Sequence, residues 1–328
     1  MGNVDAIEAS TNGALSENAD RLSGVLVTGE WQRCVKTSAG GDGRDKGTYI
    51  ELTVRAFAGD SSGQGNSCST TLANFHPEEA GREAARIANL ARNPKEGKEG
   101  KYTVVFGPPA MANLLNTCGD AASAYSVDAG FSYLAGKVGQ KVASENITLS
   151  DDGTYPGGLS SASCDDEGFP TRRTKLMEKG VLKTYLHSSY TAEKFKAHLT
   201  GNGFYSGGIG GIIPIPTNLI VDSGAYSKDE LLREVRRGLY VTNNWYTRFH
   251  NYQTGDFSTI CRDAIFTIEN GEISGSVKGL RVSENMLHIM QSTRGLSKER
   301  VWIKWWEVDT PVLLPHFMID EVQLTKAT

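Results

Sequence analysis

The side chains best suited to metal or nucleophilic chemistry in this chain are six histidines (His76, His187, His198, His250, His288 and His316) and five cysteines (Cys34, Cys68, Cys118, Cys164 and Cys261). A helical zinc hydrolase holds its ion with two histidines on one helix face and a third ligand from elsewhere, beside a carboxylate that activates water. No two of the histidines are spaced one helical turn apart, and none is followed by glutamate. Ligands can also meet in space from distant positions, but an isolated histidine is by default a surface or half-buried residue. Cys118 is a candidate nucleophile with Asp120 close by, in the run Asn116-Thr117-Cys118-Gly119-Asp120-Ala121. A nucleophilic cysteine needs a histidine partner, which spacing alone does not supply. The plainer reading is a helix face of small residues, with Cys118 packed as a small hydrophobe.

Three further clusters carry polar or aromatic chemistry. Asp165-Asp166-Glu167-Gly168, followed by Pro170-Thr171-Arg172-Arg173, has the charge for a divalent cation but not the alternating oxygen ligands of a calcium loop. A turn pinned by carboxylate hydrogen bonds is the expected role, with shaping of a peptide cleft second. Thr200-Gly201-Asn202-Gly203 lacks the Lys-Ser/Thr of a phosphate loop, and Gly207–Gly211 reads as a flexible rim. Trp302, Trp305 and Trp306, with Trp245 and Tyr246, offer stacking surfaces. Core packing is the default for such residues, and partner contact is the functional alternative.

The elements that must position these residues follow from periodicity. Alternating runs around Val25–Val27 and Ile50–Val54 predict antiparallel strands, and the Gly/Ser-rich stretch Gly59–Ser69 predicts a loop. Pro77–Asn93 predicts an amphipathic helix, and the charged stretch Pro94–Lys101 a solvated linker and domain boundary. Tyr102–Phe106 reads as a strand and Pro109–Ala124 as a helix. Lys175–Met177 and Val181–Leu186 read as a hairpin, and Ser227-x-x-Glu230 as a capping box. Asn270-Gly271 is the strongest hairpin signal, Asn285–Gln291 a short helix, and Val301–Val308 and Val312–Met318 closing strands. The expected fold is α+β: a small strand-helix segment, residues 1–98, followed by a larger, mostly antiparallel, β-rich domain, residues 99–328.

With 328 residues, 39% apolar and 22% charged, the composition is that of a globular protein with a substantial core. A net charge of −4 argues against a nucleic-acid footprint. The first twenty residues hold no apolar signal-peptide core, no stretch has the length of a membrane span, and the cysteines are odd in number and scattered. These features predict a cytoplasmic protein with reduced thiols and no membrane or nucleic-acid partner.

Ala135-Gly136-Lys137, Leu149-Ser150-Asp151-Asp152-Gly153 and Asp165-Asp166-Glu167-Gly168-Phe169-Pro170-Thr171 together resemble the TldD/TldE (PmbA) metalloprotease family. Gly238-Leu239-Tyr240-Val241-Thr242, Thr254-Gly255-Asp256-Phe257-Ser258 and Ile268-Glu269-Asn270-Gly271 resemble its TldE/PmbA branch. In the catalytic branch the helix preceding Ala-Gly-Lys bears His-Glu-x-x-x-His. Here the matching positions are Asn116, Thr117, Cys118, Gly119, Asp120 and Ala121, and no cysteine follows Cys261 to match that branch's third ligand.

The resemblance implies no catalytic residue, no metal ligand and no cofactor in this chain, with zinc in a TldD-like partner. It implies a noncatalytic subunit that pairs with that partner and helps degrade or process unfolded or extended peptides. It also implies that the family's amino-terminal domain is absent, that residues 165–167 and 200–202 border a peptide cleft, and that the tryptophans offer a partner surface. The alternatives are an independently active metallopeptidase or cysteine hydrolase, and a self-associating, homodimeric peptide-binding module.

Overall fold

The computed structural model describes residues 2–327. Helix α1 (Asn3–Ser16) opens the amino-terminal part and is followed by β1 (Arg21–Lys36), β2 (Asp42–Ala58) and β3 (Ser61–Ser69), an antiparallel three-stranded sheet in that order. The expected loop over Gly59–Ser69 is instead the strand β3, almost wholly buried. Its composition misleads because it is chosen for closeness rather than for turning. Helix α2 (Pro77–Leu90) lies directly on it, and a Cβ on Gly63 or Gly65 would run into the carbonyl oxygens of Ala84 or Ala80. The pairing of α1 with α2 uses the same device, since Gly13 packs on the Glu78 carbonyl and Gly81 on that of Ser10. Alanines of α2 and alternate residues of β2 (Leu52, Val54, Ala56, Ala58) fill this small core.

Residues read as a solvated linker include β4 (Lys95–Glu96), which adds a parallel edge strand to the larger half. There follow β5 (Gly100–Phe106), α3 (Pro108–Ala121), α4 (Ala124–Asp128), β6 (Leu149–Asp152), β7 (Arg173–Glu178), β8 (Val181–Leu182) and α5 (Ser189–Phe195). The β7–β8 hairpin turns at Lys179-Gly180 as expected, but β8 stops at Leu182 because the chain leaves the sheet to bridge Leu186 to Ser123. Gly207–Gly211 is the tip of a separate hairpin, β9 (Gly203–Ser206) with β10 (Gly211–Pro214).

The remainder comprises β11 (Leu219–Val221), α6 (Lys228–Arg233), β12 (Arg237–Asn251), β13 (Asp256–Glu269), β14 (Glu272–Lys278), β15 (Leu280–Asn285), α7 (Met286–Gln291), β16 (Thr293–Leu296), β17 (Val301–Trp305), β18 (Val308–Leu314) and β19 (Phe317–Lys326). The closing region is therefore three strands rather than two. One sheet runs β17-β18-β11-β6-β7-β8. In the other, β12 pairs with β5, β5 with β19, β19 with β15, β15 with β13, and β13 back with β12, which closes a ring. Helix α3 lies between the ring and the six-stranded sheet, and Met111, Leu114, Leu115 and Cys118 have no exposed surface. The fold is α+β, mostly antiparallel, with the larger β-rich part at the carboxy-terminal end.

Candidate functional site

The buried helix α3 carries the run Asn116–Ala121. Its N-cap is Gly107, with proline in the first turn, and most of the following residues are small or apolar enough to be buried. Asn116 points its amide at β18, where Nδ2 donates to the Thr310 carbonyl (2.8 Å) and Oδ1 accepts from the Thr310 N–H (2.9 Å). The β17–β18 register shifts beside this point, so the side chain completes a ladder that β17 leaves open. Thr117 donates to the Leu114 carbonyl within its own helix, Ala121 is buried, and Asp120 faces solvent.

Cys118 has no exposed surface, and burial pushes its thiol up to about 12, with the nearby Tyr133 hydroxyl favouring the thiolate and Asp120 opposing it. A thiol so placed is not a nucleophile at neutral pH. Zinc does not fit these residues. Asn116 has its amide engaged on both sides, Thr117 and Ala121 offer no imidazole or carboxylate, and the one soft donor is sealed in its protonated form. Among the described residues no three His, Cys, Asp or Glu side chains gather at metal-binding distance.

The acidic cluster is a set of pins. Asp165 Oδ1 accepts from the backbone N–H groups of Glu167 (3.1 Å) and Phe169 (2.9 Å), and its Oδ2 from Gly203 N–H (2.9 Å). Asp166 accepts from Arg33 (3.0 Å) and from the Tyr205 N–H (2.8 Å), so the β1–β2 hairpin of the small half is tied to the large half here. Glu167 accepts from the Ser189 N–H (2.7 Å) at the start of α5. Thr200 bonds both backbone groups of His187, Gly201 takes a positive φ of 71° against the Pro170 carbonyl, and Asn202 donates to Asp151 (2.6 Å) and to the Ile215 carbonyl (3.1 Å). Asp151 is fully buried, and burial pushes its carboxyl up to about 6 against donors from Asn202 and Thr217 that favour the charged form. These residues therefore hold one another in place, and every carboxylate of the cluster is already satisfied by donors.

The tryptophans divide. Trp305 is 3% exposed and packs against Trp245 (6.0 Å) inside the core, whereas Trp306 is 58% exposed and lies edge-on to Trp245 (5.7 Å) and Tyr246 (6.3 Å). Trp302 is half-buried against Tyr155, and its carbonyl accepts from the Cys68 thiol (3.4 Å), which joins β17 to β3.

That junction borders a cleft between the two halves, about 580 Å³. One wall is β3 and the start of α2; the other is β17, the first residues of α3, Lys228, Tyr240 and His316. Both β3 and β17 are terminal strands of their sheets. Lys228 Nζ stands 5.1 Å over the Tyr240 ring, and the His316 ring lies 6.1 Å from that ring, tilted to it. Burial, with the Lys228 ammonium adding to it, pushes His316 down to about 3, so its imidazole is neutral. Burial also lowers the Lys228 ammonium and raises the Tyr240 phenol. Sequence reasoning missed this constellation. Lys228 sits inside a capping box, Tyr240 and His316 are single polar positions in or beside strands, and no local pattern links them.

Family models match nearly the whole described chain: the PmbA/TldA metallopeptidase central domain over residues 4–92 and the C-terminal domain over residues 99–326. A metalloprotease of Methanocaldococcus jannaschii is 32% identical over 226 residues, 67% of this chain and 48% of that protein. PmbA of Escherichia coli O157:H7, also a metalloprotease, is 27% identical over 64% of this chain and 44% of its own length. The chain thus spans about half the length of these curated relatives. The crystal structure of TldE from Thermococcus kodakarensis superposes with a TM-score of 0.87 at 26% identity, covering 98% of this chain and 73% of that one. A Thermotoga maritima protein described as a modulator of a DNA gyrase matches equally well, with a TM-score of 0.87, 27% identity and the same coverage. The chain belongs to the TldD/TldE/PmbA metallopeptidase family.

Proposed function

We propose that this chain is a TldE-like, noncatalytic subunit that binds extended peptides and presents them to a zinc-bearing TldD-like partner. The observation that carries the reading is the state of the motif helix. On a family scaffold, the positions of His-Glu-x-x-x-His hold Asn116, Thr117 and Ala121, and Asn116 is turned to the Thr310 backbone instead of to an open site. A side chain doing sheet repair cannot also ligate a metal. Hydrolysis then belongs to a partner, and what this chain supplies is surface.

The cleft between the halves suits an extended peptide. It lies between two terminal strands, and a chain laid beside such a strand gains main-chain hydrogen bonds with little dependence on sequence. The acidic pins and the Arg33 clamp on Asp166 fix the β1–β2 hairpin to the large half, at a second junction between the two parts. Two cysteines speak against an autonomous cysteine hydrolase. Cys118 and Cys68 are buried, and burial pushes both thiols up to about 12.

The test is reconstitution. The purified chain, a TldD-like protein and their mixture are each incubated with an unfolded protein substrate, and fragments are followed by mass spectrometry. The reading expects no cleavage by this chain alone and faster cleavage by the mixture than by the partner alone. Chelator-sensitive cleavage by this chain alone, or a mixture no faster than the partner, overturns it.

A further inference from the structure

We propose that the cleft between the two halves contains a carboxylate-binding subsite, formed by Lys228 and Arg300, that selects extended peptides bearing a carboxylate at the matching position. The inference rests on the peptide-binding reading above and adds a ligand chemistry to it.

Two cations that line the cleft lack carboxylate partners among the described residues. Lys228 is half-buried in the cleft, and among the described residues its ammonium makes no ion pair and no hydrogen bond. Arg300 is half-buried as well and donates only to the Val221 carbonyl (3.1 Å), with no carboxylate partner among the described residues. Removing an ammonium and a guanidinium from water without a counter-charge is unfavourable unless something else offsets it.

The acids near this wall offset that only in part: Glu83 and Asp229 favour the Lys228 ammonium, Arg86 opposes it, burial outweighs them, and no carboxylate forms an ion pair with it. Glu79 lies 3.6 Å from Arg82 and Glu83 lies 2.7 Å from Arg86, so each is engaged by an arginine of its own helix. Asp229, next to Lys228, is exposed and faces solvent. His316 stays neutral and forms wall rather than charge. The Tyr240 ring lies under the Lys228 ammonium and gives it a cation–π contact, which carries no negative charge to match it. What remains is two cations lining the same cleft, neither paired with a carboxylate among the described residues, with apolar flanks from Ile87, Pro108, Pro109 and Ile303. A peptide carboxylate is the complement, and its source is either the chain terminus or an Asp/Glu side chain.

Two pairs of eight-residue fluorescent peptides separate these sources. One pair has uncharged side chains and differs in a free against an amidated carboxy terminus. The other is blocked at both ends and differs in a central Glu against Gln. Binding to the purified chain is read by anisotropy at low and at high salt. The expected result is that in at least one pair the carboxylate-bearing member binds about tenfold tighter, the size of one charge-assisted hydrogen bond, and that the pair concerned names the source. Salt should shrink the difference. Lys228→Met should abolish it while Lys228→Arg retains it; the parent protein's discrimination and its salt dependence are read without any variant. Equal binding within both pairs overturns the subsite and leaves the peptide-binding reading standing. No binding by any of the four peptides overturns both.

Discussion

Replacing Asn116 by alanine tests whether this residue has become part of the frame. The amide bonds both the N–H and the carbonyl of Thr310, at 2.9 and 2.8 Å, in a stretch of β18 that β17 does not pair. Thr310 is 9% exposed, so truncation leaves two backbone groups with little water to replace the lost partner. Each unsatisfied buried group costs about 1–3 kcal/mol, and Asn116 is half-buried, which lets some water in. The expected loss is therefore about 2–4 kcal/mol. For a unit the size of the carboxy-terminal half this lowers the melting temperature by roughly 5–12 °C.

Differential scanning calorimetry of the parent and of Asn116→Ala measures it, with urea unfolding as the second readout. Asn116→Asp is the informative control. It keeps an acceptor for the Thr310 N–H but sets a carboxylate against the Thr310 carbonyl, so it should be at least as damaging as alanine. A loss below about 0.5 kcal/mol for Asn116→Ala, the level of an ordinary surface change, would refute the structural role.

Three other outcomes follow from particular contacts. Gly65→Ala should lower stability by about 2–3 kcal/mol, because the new methyl meets the Ala80 backbone rather than a movable side chain, whereas Gly207→Ala, with open space around it, should not; thermal melts of both decide. Asp151 carries a folded-state value of about 6, above its usual 3.8, so its stabilising contribution is complete below pH 4 and is lost as pH rises through 6. Relative to Asp151→Asn, the parent should lose on the order of 2–3 kcal/mol between pH 4 and 7 in urea unfolding, and a pH-independent difference would contradict this. Of the five thiols only Cys34 is exposed, so an aromatic disulfide reagent at pH 8 should titrate one thiol promptly and the rest only on unfolding; a second fast thiol would place Cys118 or a neighbour nearer solvent than described.

How far the sequence carried depended on whether a residue's role is local. Pro77 and Pro94 bracket the helix seen at Pro77–Leu90, and Asn270-Gly271 makes its hairpin with both residues at positive φ, 51° and 83°. These signals need only neighbours along the chain. The strand β3 was unreadable because its glycines serve the helix packed on it, a tertiary demand that imitates a loop. Strand β12 was not read from the pattern and β13 only at its end beside Asn270-Gly271, because register shifts between Val241 and Asn243 and between Trp245 and Arg248 break the alternation. Asn116 was legible as a missing ligand but not as a bond to Thr310, 194 positions away. The cleft residues come from separate elements of both halves, so no spacing joins them. The acidic cluster was read as a pinned turn, and its carboxylates do accept backbone N–H groups on every side.

The central claim is that the catalytic metal of this family has no place in this chain. The direct measurement is zinc per chain by inductively coupled plasma mass spectrometry, on protein purified and dialysed without chelator and then offered excess zinc and desalted. The account predicts well below 0.1 zinc per chain in both samples, since no described set of donors can hold the ion. Zinc approaching one per chain, retained through desalting and lost with Asn116→Ala or Cys118→Ala, would contradict it.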